Sequence, residues 1–488
     1  MSTFLHKLIG SLSTSEKIYF KRSAGTHGRK DNKNYLRIYE ALEPKEYVGD
    51  AALKNLYSNS SMGRHLPSEC NYLTEKLLLS LFNFNLNSSK RNQIQKGIIL
   101  IEGLIKKGFR KQALKKLKYI KKTADKYEEL TMLLRLIELE EVILFKEGII
   151  GYKEQLETLK EQRSTVTAKI QNLNDYHLLR EEVREAQFTE SLAIDDKARF
   201  NEICSDALVL DSRHCLTLKA KEHWYYIQVL TNYLKWDFDK GLFYAHEYLQ
   251  FTRQNKHIFS TSKLLPTLSN FIYHSALTRD KASFNEGLEM LKELSYKEQI
   301  SDAYFSYIRL TRNLEFAYYT KNLEAMKVFL EPTANLLKEH RDDFEEAQLQ
   351  YLFMNVARTA IVLGKYKVAT LVMNEWMQTG VLSYRKVQAR LFLLMVHFKL
   401  GYFDLVQSEL IQLKKMEKKY LRDQVLIKAF YRFFNAMSKH PGKSEKPIEQ
   451  LRQALKSLSE KRPGYFDFIA FDYYQWSLEL DRKIPSPI

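Results

Sequence analysis

Residues 353–376, FMNVARTAIVLGKYKVATLVMNEW, constrain the fold more than any other stretch of the chain. They read as two short helices packed back to back across one tight turn. The first runs to about Leu363, Gly364 breaks it, and the second starts near Lys367. Small residues sit where the two helices must approach closely, Ala357 and Ala360 on the first and Ala369 on the second. Phe353, Val356, Tyr366, Met373 and Trp376 fill the shared seam. A pair this short cannot bury its apolar stripe alone, so it implies neighbours of the same kind.

Such neighbours are legible on both sides. Helical periodicity pairs 94–107 with 111–126, 131–145 with 152–173, 214–234 with 240–251, 263–278 with 284–294 and 302–320 with 323–330. It also pairs 384–400 with 404–416 and 422–439 with 446–458, and gives weaker helices over 176–188 and 197–208. Aligning the second helices on a close-contact residue gives Ala113, Gly241, Gly287, Met326, Ala369 and Val406, with later intervals of 46, 39, 43 and 37 residues. A two-helix unit of this size is the mark of an α-solenoid.

The 9 prolines and 17 glycines are too few for a chain of many tight turns, which agrees with helix nearly throughout. The first 90 residues differ. They hold predicted helices at 3–12, 16–23, 35–42, 51–57 and 69–84, a basic loop at 24–34, and a helix start at Ser13-Thr14-Ser15-Glu16. The expected architecture is therefore all-α: a helical N-terminal module over 1–90, a right-handed α-solenoid of antiparallel helix pairs over 91–462, and a capping helix with tail over 463–488.

The central unit resembles the tetratricopeptide repeat. That motif places a small residue in the first helix, glycine at the turn, an aromatic two residues later and alanine three after that. Ala357, Gly364, Tyr366 and Ala369 match it, with Met373 and Trp376 completing the second helix. Gly401, Phe403 and Val406 match with valine for alanine, and Gly108 and Ala113 match with the aromatic moved to Phe109. Phe238 with Gly241, and Phe284 with Gly287, match without the turn glycine, while Leu323 with Met326 is the weakest unit. The proline that usually ends the motif is missing from nearly every unit. The opening segments TSEKIYFKRSA and NYLRIYEAL resemble those of bacterial repeat proteins, which implies no activity. The resemblance implies a divergent helical repeat that binds proteins.

No catalytic signature competes with that expectation. His340-Arg341-Asp342 has Ala347 where a kinase loop needs asparagine, and the Gly-rich loop around Gly25 and Gly28 lacks P-loop spacing. No HExxH, no GxSxG and no spaced Cys/His set occurs, so no metal and no cofactor is expected and the protein reads as a non-enzyme. Cys70, Cys204 and Cys215 are an odd, scattered set, unlike a disulfide scaffold. The N-terminus lacks the apolar core of a signal peptide, and the apolar run at 391–396 is too short to span a bilayer, so a cytoplasmic location is expected.

Two surfaces stand out for binding. In a helix-pair solenoid the first helices line a concave groove. Tyr226, Tyr307, Arg312, Glu315, Tyr319, Met354, Asn355, Arg358, Met395 and Lys399 are expected to point into it, with Tyr233, Tyr351, Ile361, Gln388 and Leu391 sharing the line. Such residues suit an extended peptide or a helix. The second surface is basic. Between 90 and 122 twelve lysines and arginines face one acid, Glu102, and Lys111, Lys115, Lys118 and Lys122 fall on one stripe. With a net charge of +17, that stripe could track phosphates or serve solubility alone. Three functions follow: a protein-interaction scaffold, a nucleic-acid or anionic-surface binder, and a peptide-sensing regulator whose effector is the 1–90 module.

Overall fold

The computed structural model describes residues 2–25, 34–43, 65–86, 89–147, 152–190, 197–297, 301–378, 383–415, 424–439, 445–461 and 471–482. Among them the structure is helix and connecting turn, with no strand. The helix expected over 51–57, most of the 24–34 loop and the final tail lie outside the described residues. The chain packs as two compact units, Met1–Ile170 and Gln171–Ile488.

The first unit opens with α1 (Ser2–Ser11), α2 (Thr14–Gly25), α3 (Asn34–Leu42) and α4 (Leu66–Asn85). They share a core of their own, built on Leu5, Ile9, Phe20, Ile38, Tyr39, Leu73 and Leu77. The start of α2 is a capping box. Ser13 Oγ accepts the Glu16 N–H at 3.3 Å, and the Glu16 carboxylate accepts the Ser13 N–H at 2.8 Å. Next come α5 (Lys90–Lys106), α6 (Arg110–Lys126), α7 (Leu130–Glu147) and α8 (Tyr152–Glu190), with α6 packed on α5 and α7 on α6.

The single helix α8 replaces the two expected helices at 152–173 and 176–188, and the division between the units falls inside it. No glycine or proline interrupts this stretch, and Gln171 Nε2 donates to Asp175 Oδ1 at 2.8 Å across the expected break. An i,i+4 bond of this kind carries the helix through Asn174 and Asp175.

The second unit starts with the end of α8 and the short helices α9 (Lys197–Ser205) and α10 (Ala207–Leu210). Then come six helix pairs: α11 (Leu218–Leu234) with α12 (Phe238–Gln254), α13 (Thr261–Leu277) with α14 (Lys281–Lys297), and α15 (Asp302–Tyr319) with α16 (Leu323–Glu339). They continue as α17 (Glu346–Val362) with α18 (Tyr366–Gln378), α19 (Ser383–Lys399) with α20 (Phe403–Lys415), and α21 (Gln424–Lys439) with α22 (Glu445–Lys461). A last short helix, α23 (Tyr473–Leu478), packs on α22. From α13 to α21 each first helix also touches the first helix of the next pair. That stacking is the repeat architecture the sequence implied.

The central pair forms as expected. Ala357, Ala360 and Ala369 are fully buried at the crossing, and Phe353 stacks parallel to Trp376 with ring centroids 6.4 Å apart. The second helix α16 runs on past its expected end at Leu330, through Pro332. Thr333, Leu336 and Leu337 keep its apolar face in the core, and that burial outweighs the bond lost at proline.

One turn recurs. Gly108, Glu128, Trp236, Arg279, Lys321, Gly364 and Gly401 all have positive φ, between 50° and 81°. In each case the next residue's N–H reaches back to a carbonyl five residues earlier, as in Lys365 to Ala360 at 2.8 Å and Asp280 to Ser275 at 2.9 Å. This is the Schellman end of a helix. The positive-φ residues at 236, 279, 321, 364 and 401 are spaced by 43, 42, 43 and 37 residues. The repeat is thus more regular than the sequence alignment gave. The difference lies at one unit: five residues after Arg279 stands Phe284, not Gly287. Phe284 is buried and stacks on Phe316 at 4.2 Å. Gly287 sits a turn further on, where a Cβ would come within 2.5 Å of Ile272.

Candidate functional site

Most of the residues expected to face an open groove are interior in this structure. Every residue from 352 to 361 except Met354 is buried, and so is every residue from 391 to 398. Arg358 and Asn355 have no exposed surface, and Glu315 has 1%. Tyr307, Arg312, Tyr319 and Met395 are buried too, while Tyr226, Met354 and Lys399 are half-buried.

The structure brings four of these together. Arg312 Nη1 donates to Glu315 Oε2 at 2.6 Å and to the Tyr351 hydroxyl at 2.8 Å, and its Nη2 donates to Ser269 Oγ at 3.0 Å. The Tyr351 hydroxyl donates to the other oxygen of Glu315. Arg358 Nη2 lies 3.9 Å from Glu315 Oε1, and its guanidinium sits 4.3 Å and 5.3 Å from the centres of the Tyr318 and Tyr319 rings. One carboxylate thus serves two buried guanidinium groups, with tyrosine faces meeting the remaining charge. Burial is the largest influence on Arg312 and opposes its charge, but Glu315 together with Tyr307 and Tyr273 offsets it, and the pKa stands above its ordinary value. His274, buried on the neighbouring turn of α13, is pushed down to about 3 by burial and then by Arg312, so it is neutral at pH 7.

The other predicted residues lie elsewhere. Tyr307 packs on Phe344 with centroids 5.4 Å apart, and Asn355 Nδ2 donates to its own helix at the Tyr351 carbonyl, 2.9 Å. Tyr226 lies under the Arg180 guanidinium at 4.4 Å. Arg180 belongs to a second polar cluster. There Glu222, 4% exposed, accepts from Lys263 at 2.6 Å and from the Tyr248 hydroxyl, and Arg180 Nη1 lies 3.1 Å from His223 Nδ1. Neither cluster carried a motif. Inward-facing charges on apolar helices, such as Arg312, Glu315, Arg358 and Glu222, were the available signal.

The face of the inner helices is taken by the chain itself. Residues 471–480 cross several pairs. The Asp472 N–H donates to the Tyr318 hydroxyl on α15 at 2.8 Å, a partner 154 residues away, and Lys321 lies 3.6 Å from the Asp472 carboxylate. Phe471 meets Phe392 on α19 at 5.1 Å, and Tyr473 meets Phe430 on α21 at 5.0 Å. Trp476 sits among Phe430, Phe433 and Phe434. Arg452 Nη2 and Nε both donate to the Ser477 carbonyl, at 3.1 and 3.2 Å, and Lys399 Nζ donates to the Glu479 carbonyl at 3.4 Å. The expected capping helix is therefore only one and a half turns long where described, with 465–470 outside the described residues.

Between this segment and α15, α16 and α17 a cleft of about 610 Å³ stays open. Tyr318, Tyr319, Met326, Ile361 and Trp476 line its walls, together with the charged Arg279, Lys321, Asp472 and Glu479. Aromatic walls with a few charges are the usual make-up of a recognition pocket.

The basic stripe is on the surface. Lys111, Lys115, Lys118 and Lys122 are all exposed on α6, whose opposite face buries Ala113, Leu117, Ile120 and Ala124. Tyr119, 70% exposed, stands between them. His340 and Asp343 form a surface pair at 2.8 Å, and no group of side chains placed to hold a metal occurs among the described residues. No described helix is long and apolar enough to cross a membrane. No family model and no curated protein matches the sequence.

Proposed function

We propose that the second unit is a non-catalytic scaffold that binds a polypeptide segment along its first helices. One observation carries this reading: those helices, with Arg452 of α22, already hold a polypeptide, residues 471–480, by aromatic insertion and by bonds between Tyr318, Lys399 and Arg452 and its backbone. Main-chain bonds plus aromatic pockets are a general way to grip a segment. The tetratricopeptide-like character is part of the proposal, supported by the Schellman turns at regular spacing and by contact between successive first helices. A cytoplasmic setting suits an odd, scattered set of three cysteines, Cys70, Cys204 and Cys215.

The test places a photo-crosslinking side chain at Gln475, which is exposed at the cleft, in the full chain within a lysate of producing cells. The expected result is a covalent adduct with a defined polypeptide, reduced when Val362→Trp fills the cleft. No adduct, or adducts indifferent to Val362→Trp, would refute the reading, as would a turnover that a point change abolishes.

A second reading, a polyanion surface on α6, is supported by the four exposed lysines, which form no ion pair among the described residues. Four phosphate contacts would lower affinity for duplex DNA or RNA by roughly a hundredfold between 50 and 200 mM salt. The variant Lys111→Glu/Lys115→Glu/Lys118→Glu/Lys122→Glu should abolish binding in fluorescence anisotropy. Salt-independent or absent binding by the unaltered chain would end this reading.

A further inference from the structure

A helix that merely closes a repeat array touches the last pair. Residues 471–480 instead reach α15, three pairs before α21, while also packing on α19, α21 and α22. They follow the line that a bound segment would take. Their chemistry is specific. Tyr473 and Trp476, three residues apart on one helical turn, are 1% and 5% exposed, and the carboxylates of Asp472 and Glu479 flank them. Around that seat stand Lys321, Lys399 and Arg452.

The fit is incomplete. Trp476 Nε1 is buried without a hydrogen-bond partner, and the 610 Å³ cleft beside it is left open. An unmade buried bond is a cost that a better-matched segment would not carry. Aromatic residues held this way can leave as a unit, because the segment is anchored mainly through its own side chains and three backbone carbonyl or amide groups.

We propose that residues 471–480 are an internal ligand of the array, and that the partner is a polypeptide segment of the same chemistry that displaces them. It carries two aromatic residues three positions apart between carboxylates. This rests on the groove reading above and adds regulation to it: the free chain is self-occupied, and the partner competes with its C-terminal segment.

The test uses a fluorescein-labelled peptide of residues 471–480 and full-length chains. Tyr473→Ala/Trp476→Ala should bind the peptide at least about tenfold more tightly than the unaltered chain, whose own segment competes. A peptide with the aromatics replaced by alanine should bind neither. Equal affinity for both chains, or no binding to a folded double variant, would overturn the inference. Trp476→Ala alone, which weakens the internal segment and leaves the seat intact, carries the same test if the double variant does not fold: raised peptide affinity supports the inference and an unchanged one overturns it. If the peptide fails while the Gln475 adduct persists, the internal-ligand role falls and the groove reading stands. If both fail, the groove reading falls as well.

Discussion

Glu315→Gln keeps the shape of the buried network and removes its only carboxylate. In the structure that carboxylate lies 2.6 Å from Arg312 and 3.9 Å from Arg358. At an effective dielectric constant of about 20 those separations correspond to gross attractions of about 6 and about 4 kcal/mol. Desolvation of the ions offsets much of this, so the pair is worth little over an apolar core. Breaking it is different, because two guanidinium groups would then be left buried without their counter-charge. The expected loss is about 3–5 kcal/mol. All four tryptophans, at 224, 236, 376 and 476, lie in the second unit, so their fluorescence during urea unfolding reports on it alone. For an m value of about 3 kcal/mol/M the midpoint should fall by at least about 1 M. The variant Arg312→Met/Glu315→Leu/Arg358→Met should regain most of that loss. A Glu315→Gln shift below about 0.2 M, or a triple variant weaker than the single one, would refute the reasoning.

Two further outcomes follow. His274 is neutral in the fold, with its pKa pushed down to about 3, while in the unfolded chain it takes a proton near 6.5. Its contribution is complete above pH 6.5 and is lost as pH falls towards 3, at about 1.4 kcal/mol per pH unit, so His274→Gln should flatten stability against pH by about one proton between 6 and 4; an unchanged slope would count against it. Gly364 has φ +68° and nothing within 4 Å of where a Cβ would stand. Gly364→Ala should therefore cost about 1 kcal/mol through backbone conformation alone, a fall of about 2 °C in calorimetric Tm, and a neutral result would show that the turn relaxes freely.

How far the sequence reached is best seen turn by turn. Gly108, Gly364 and Gly401 advertised their left-handed turns. At Trp236, Arg279 and Lys321 the breaks between helices were readable but their left-handed form was not, because those positions carry side chains in a conformation glycine would favour. The readable sign was one residue further on. Asp237, Asp280 and Asn322 each cap the following helix, bonding the N–H groups of Lys240, Ser283 and Ala325 at 3.2, 3.2 and 3.0 Å. Missing it shifted the register at Gly287.

The Ser13–Glu16 cap was legible because both partners lie within one turn. The fate of Arg312, Glu315 and Arg358 was not. Periodicity places them on the inner side of the first helices, yet only the stacking of α13, α15 and α17 shows that they meet one another there instead of solvent. Nor does any local pattern reveal that Asp472 would find Tyr318 across 154 residues.

The most direct measurement is a phage-display selection of random 12-residue peptides against the full-length Tyr473→Ala/Trp476→Ala chain. The expected enrichment is for sequences with two aromatic residues three apart and neighbouring carboxylates, with recovery suppressed when the peptide of residues 471–480 is present in excess. Recovery of basic sequences, or of no consensus at all, or enrichment that this peptide leaves unaffected, would contradict a polypeptide-binding role for the inner helices.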